Sequence, residues 1–196
     1  FYVHEQAKAL RAQGHDVTVI SCVGTMPMMK RLRPALFETD RRTPKEDIID
    51  GIPVYFPRCL TLGNAGEKLL GGYPMYRAAL PIAKKQHAEK PFDIIHAHML
   101  PREGHAGRLL GRALGVPVAL TVHGTDVFHY FIPGQTPWKR NIETAQKVDA
   151  LMAVSSLLLS RVAPYRGEGK ISRVVQNGVD LSLVPENEVR RPRSVI

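Results

Sequence analysis

The segment LTVHGTDVFHY, residues 120 to 130, runs from an apolar, β-rich stretch straight into His123, Gly124, Thr125 and Asp126. These residue types suit polar chemistry. Imidazole donates or accepts a hydrogen bond and titrates near neutrality, carboxylate accepts, and glycine lets backbone come close to another group. A second group, DIIHAH at residues 93 to 98, puts His96 and His98 on the same face of an extended strand, because side chains alternate along it. Two more apolar runs end in polar residues: LMAV is followed by Ser155-Ser156, and VVQ by Asn177-Gly178.

Four chemistries compete for these residues. His96 and His98, joined by His123, Asp126 or His105, have the types needed for a zinc site, but the chain contains no HExxH or HxHxDH string. A serine nucleophile would want a GxSxG elbow, which is absent, and Ser155 reads instead as the N-cap of a following helix. HGTD alone also fits a glycine turn with Asp126 capping the next turn. The fourth chemistry is a substrate site in which imidazoles hydrogen-bond sugar hydroxyls or phosphate.

The elements that must carry these groups are legible in the second half of the chain. FDIIHAH, VPVALTV, DALMAVS and KISRVVQNGVD read as strands, separated by the helical patterns REGHAGRLLGRALG, PWKRNIETAQKV and SLLLSRVAPYR. Strands alternating with helices predict a Rossmann-like parallel sheet covered by helices on both faces. Ligands of such sheets bind beyond the carboxyl ends of the strands, so all four polar groups are expected along one edge.

The first half is less regular. Val3, Ala7 and Leu10 recur at helical spacing, Gly14 suits the residue just past a helix end, and residues 17 to 20 read as a strand. Residues 24 to 51 show no periodicity and read as a surface excursion before the strand IPVYFP. TLGNAGEKLLGGYP reads as a glycine-rich connection, followed by a helix from Met75 to Glu89 that is started or interrupted near Pro81.

Composition narrows the partners. With 44% hydrophobic and 23% charged residues, the chain can bury a core and is not of disordered type. The longest near-apolar run, ALMAVSSLLLSRVA, is broken by serines and closed by Arg161, so no membrane span is expected. Two cysteines, Cys22 and Cys59, without CxxC spacing, point to a reducing, cytoplasmic setting. The net charge of +9 is concentrated in KRLRPALFETDRRTPK, residues 30 to 45, where six basic residues face two acidic ones. That stretch lacks interleaved aromatics and any nucleic-acid motif, so it suits anionic lipid, lipid-linked phosphate or a sugar phosphate as readily as nucleic acid, and it also fits a solvated loop.

Taken in order, GHDVTVIS, DIIHAHMLP, LGVPVALTVHGTDVF, DALMAVSS and VVQNGVDLS resemble successive segments of the N-terminal domain of family 4 glycosyltransferases, over nearly the whole chain. The resemblance implies the acceptor-side half of a two-domain GT-B fold. It implies a retaining hexosyltransferase that moves a sugar from a nucleotide diphosphate sugar to a glycan, glycolipid or small-molecule acceptor in cell-surface glycan synthesis. By the same resemblance, His123 is the catalytic histidine of the cleft, and His98, Gly124, Asp126, Asn177 and Gly178 bind substrate.

No metal or other cofactor is implied, since GT-B enzymes stabilise the leaving diphosphate with helix ends and basic side chains. The acceptor-side domain is expected over residues 1 to 183, without its first strand, and residues 184 to 196 would be a linker into a second domain; such a piece is expected to be inactive alone. The alternatives are a metal-dependent hydrolase using His96, His98, His123 and Asp126, or a non-catalytic Rossmann-like binding module.

Overall fold

The computed structural model describes residues 2–26, 31, 34–134 and 137–178. Helix α1 (Tyr2–Ala12) buries Ala7 and ends at Gly14, whose φ of +89° suits glycine alone, with the amides of Gly14 and His15 returning to the carbonyls of Arg11 and Leu10. Strands β1 (Val19–Ile20) and β2 (Val23–Thr25) are two pieces of one run, interrupted at Ser21 and Cys22. They pair in parallel with β4 (Ile52–Tyr55) and β5 (Arg58–Leu60), and the bonds Ser21 N to Tyr55 O and Val23 N to Pro57 O carry the ladder across the break.

The surface excursion expected for residues 24 to 51 is corrected by the structure. Its described part holds β2, helix α2 (Pro34–Arg42) and strand β3 (Glu46–Ile49), which is antiparallel to β4 across a turn at Asp50-Gly51 with φ of +49° and +72°. Two positive φ values at an Asp-Gly pair define a tight hairpin turn. β3 escapes a periodicity search because all four of its residues are exposed. The glycine-rich connection is likewise partly helical, as α3 (Gly63–Leu70). Helix α4 (Tyr73–Glu89) then runs through Pro81 uninterrupted, held by its buried Ala79 and Ala83 in spite of the one donor that proline lacks.

The second half follows the expected grammar. Strands β6 (Ile95–His98), β7 (Val118–Val122), β8 (Ala150–Ala153) and β9 (Ile171–Val174) are parallel, and their order in space is their order in sequence. The crossovers are a π-helical turn at Leu100–Gly104 leading into α5 (His105–Leu114), then α6 (Thr125–Phe128) with α7 (Trp138–Lys147), then α8 (Ser156–Val162). Ser155 caps α8, its side chain accepting the Leu158 amide at 3.3 Å. The protein is a Rossmann-like α/β fold with helices on both sides of its parallel strands. Every residue of β7 is buried, which is why VALTV shows no alternation. Leu120, Val122, Val148 and Leu151 have no exposed surface, and each such side chain is worth about 1.5–3 kcal/mol of burial.

The two halves meet through α4 and α5. Ile20 and Ile95, from strands of different sheets, both pack on the cluster of Ala79, Ala83 and Leu110. At the start of these helices the Gly72 amide donates to Nδ1 of buried His105 at 3.1 Å. A Cβ on Gly72 would lie 1.9 Å from the Arg102 carbonyl oxygen, so only glycine permits this approach.

His105 must stay neutral to accept that bond. Burial, reinforced by Arg108 and Arg140, pulls its pKa from the ordinary value down to about 4. The folded-state value is thus depressed, so this stabilisation is complete above about pH 6.5 and is lost as pH falls through about 4. We expect the urea midpoint to fall between pH 7 and 4.5, and to fall less in His105→Asn, which keeps an acceptor without the titration. Equal pH slopes in the two proteins would contradict it.

Candidate functional site

The register of the four-stranded sheet brings the polar strand endings to one edge. His98 pairs with Thr121, Thr121 with Met152, Val122 with Ala153 and Ala153 with Val174. His98, His123, Ser155 and the segment after Val174 therefore leave the sheet on its carboxyl side. Asn177 and Gly178 are exposed there, outside any regular element.

Three histidine rings pack together at this edge. The rings of His96 and His98 lie 4.2 Å apart, as expected for neighbours on one strand face, and those of His98 and His123 lie 5.3 Å apart. His98 Nδ1 and His123 Nε2 share a hydrogen bond of 3.0 Å, and His96 Nε2 is bonded to Thr121 Oγ1 at 2.8 Å. On the other side Tyr2 stacks on His123 at 4.3 Å. Burial lowers all three imidazole pKa values, and the adjacent rings lower those of His96 and His98 further, with His98 at about 3. The Asp126 carboxylate draws His123 partly back. The cluster is neutral at physiological pH. His123 Nδ1 is buried without a hydrogen-bond partner among the described residues.

Asp126 has a different task from the one expected of it. As a substrate-binding residue it would need an accessible carboxylate, yet it has no exposed surface. Its Oδ1 accepts the amides of His123 at 3.0 Å and Gly124 at 2.8 Å, and its Oδ2 accepts the amide of Leu100 at 3.1 Å. One side chain thus ties the loop after β7 to the loop after β6. The Gly124 amide is consumed in this clamp. Its φ of +129° still demands glycine, and the space beside its Cα is open.

The clamp also holds an uncommon backbone. Met99, directly after His98, has φ of +73° and ψ of 128°, rare for a residue with a side chain. Its carbonyl accepts the Gly104 amide at 2.8 Å, closing the π-helical turn. Thr121, Met99 and Tyr2 carried no distinctive motif. Thr121 alone had a signal, since its β7 position faces His98 once the two strands are set in register.

The metal-hydrolase alternative finds no support, because no group of three or more His, Cys, Asp or Glu among the described residues could hold a metal ion. Asp126, the carboxylate it requires, is spent on backbone amides.

The sequence model of Glycosyltransferase Family 4 matches residues 1–183. This chain belongs to that family. It is 30% identical over 191 residues to the teichuronic acid biosynthesis glycosyltransferase TuaC of Bacillus subtilis (strain 168), covering 94% of this chain and 47% of TuaC. It is 25% identical over 207 residues to a glycogen synthase of Mycobacterium tuberculosis (strain H37Rv), covering 98% of this chain and 47% of that one. The family 4 chain thus spans about half the length of the curated relatives it matches. Among solved structures it is similar to a UDP-N-acetylglucosamine 2-epimerase, at 14% identity and a TM-score of 0.41 over 83% of this chain and 49% of that one.

The clamp makes a prediction separate from any ligand. Asp126→Ala would strand three amides, each contributing about 1.5–3 kcal/mol when bonded to a charged group, so we expect a stability loss of about 3 kcal/mol or more in urea unfolding. A loss below 1 kcal/mol, on the scale of ordinary surface changes, would show that the clamp is not structural.

Proposed function

We propose that this chain is the acceptor-side domain of a retaining glycosyltransferase of GT-B architecture, using a nucleotide diphosphate sugar as donor and a glycan or glycolipid as acceptor. The observation that carries it is the neutral His98–His123 pair at the carboxyl edge, where the His123 ring is half-buried and its Nδ1, covered in this structure, has no partner among the described residues and would meet a ligand only once uncovered. A neutral imidazole has one N–H and one lone pair. If His98 donates to His123, Nδ1 of His123 carries the proton and donates; if His123 donates, its Nδ1 accepts. A sugar hydroxyl satisfies either case, because it is both donor and acceptor.

In this scheme His123 is the catalytic residue, holding a hydroxyl of the transferred sugar as charge develops at the reacting carbon. His98 sets its tautomer and lines the acceptor side. Asp126, first read as a contact, becomes the positioning residue for both. Gly124 leaves room for the sugar, and Asn177 and Gly178 complete the edge towards the donor. Assayed in the complete protein, His123→Ala is expected to lower kcat about 10²-fold with folding retained. His96→Ala is the control. It breaks the bond to Thr121 deeper in the strand and should cost stability more than turnover. A fully active His123→Ala enzyme would remove the assignment.

A membrane-associated, polysaccharide-building role on the cytoplasmic face is the finer part of this proposal. In the basic stretch, Arg41 and Arg42 are 66% and 79% exposed on α2, although both lie within 4 Å of Glu38. Lys30 and Arg33 lie outside the described residues. Leu60, Leu62, Leu69 and Tyr73 are exposed, and Leu60 and Leu62 flank a small cavity with Arg102, a mixture of apolar and basic surface suited to a lipid-linked acceptor. No helix among the described residues is long and apolar enough to cross a membrane. Reversing Arg41 and Arg42 to Glu is expected to weaken binding to phosphatidylglycerol vesicles at least several-fold at low salt; unchanged co-sedimentation would contradict it.

A further inference from the structure

The opposite end of the sheet carries a feature that sugar transfer does not use. Between one face of α5 and the end of α7, at the amino ends of β7 and β8, lies an open groove of about 420 Å³. Val116 and Val118 supply apolar lining, and Arg108, Arg112, Lys147 and Asp149 supply charge. Arg108 and Arg112 are one helical turn apart on α5, so they share a face. A volume of this size is in the range of small-ligand sites.

The charges are unevenly matched. Glu143 is shared by Arg108 at 3.3 Å and Lys147 at 2.8 Å. Asp149 gives Oδ2 to the Val118 amide at 2.8 Å and faces Lys170 at 3.5 Å. Two carboxylates thus stand among four cations. Arg112 makes no hydrogen bond or ion pair among the described residues, and Nε of Arg108 is buried without an acceptor, although that side chain is only 12% exposed. Arg112 and Lys147, in the last turns of α5 and α7, complement the helix dipoles, which accounts for their sign. It does not account for a nearly buried guanidinium with an unused donor, a group that ordinarily finds an acceptor.

We propose that this groove binds a phosphate group of a small soluble ester, at a site separate from the histidine edge. Guanidinium groups present planar donor pairs that match phosphate oxygens, and two of them beside an ammonium exceed what Glu143 and Asp149 neutralise, the latter also facing Lys170. The valine lining would lie under the organic part of the ester. β7 is five residues long, so the groove and the histidine edge are roughly 16 Å apart, beyond direct contact with one small ligand.

The test uses the complete protein and inorganic phosphate at constant ionic strength, followed by the backbone amide shifts of Gly111, Val116 and Val118. These report the groove locally, whatever phosphate binds elsewhere. We expect saturable shifts, with Kd raised at least fivefold by Arg112→Gln, an exposed helical position where glutamine is tolerated, and less by Arg112→Lys. A second arm replaces phosphate by phosphatidylglycerol vesicles. A response there, lost in Arg112→Gln and absent with free phosphate, would overturn the soluble ester and assign the same chemistry to a lipid headgroup. No shift in either arm, or identical titrations in wild type and Arg112→Gln, would overturn the site altogether.

Discussion

The candidate site depends on one buried carboxylate. Asp126 gathers amides from both sides of the gap between β6 and β7: Leu100 after one strand, His123 and Gly124 after the other. Besides it, the His98 and His123 ends are held against each other by the Met99 amide on the Thr121 carbonyl at 2.9 Å and by the hydrogen bond between the rings themselves. A ring-to-ring bond is a poor foundation, because it needs both imidazoles at the right angle first. The acid supplies that angle from below, through backbone. It also offers a reason why the sparsely populated Met99 conformation persists: the amide that follows is held by the clamp, and a strained residue survives only where its surroundings over-determine it.

How much of this could be seen in the sequence varied with burial. The βαβ units from residue 93 onward were legible because both faces of the sheet are covered, giving apolar runs separated by helical patterns, one of them capped by Ser155. The hairpin of β3 and β4 was not. Its outer strand is exposed throughout, so hydrophobic periodicity had nothing to report, and the Asp50-Gly51 pair was the one clue. Pro81 misled in the opposite sense, since a proline inside a helix is unfavourable in isolation but is tolerated where buried alanines hold the helix to its neighbours.

Within the site, alternation placed His96 and His98 on one face, and the strand-end rule placed His123 beside them. What sequence could not separate was contact from support. Asp126 follows a histidine and a glycine in a motif that looks like a ligand-binding string, and its residue type serves a cap as well as a substrate contact. The distinction rests on burial, and its reach to Leu100 crosses 26 residues of chain. Tyr2 meets His123 from still farther away in sequence, through the placement of α1.

The in-order sheet also sets a scale. Because β6, β7, β8 and β9 succeed one another in space, each step along the chain moves the carboxyl edge sideways by one strand separation, roughly 4.8 Å. The His98 and His123 positions are one step apart, whereas His98 and the segment after β9 are three steps apart, roughly 14 Å. The edge therefore behaves as a ruler with fixed divisions. Groups one division apart can grip a single hydroxyl-bearing ring together, while groups three divisions apart must address different portions of an extended molecule, with little energetic coupling between them.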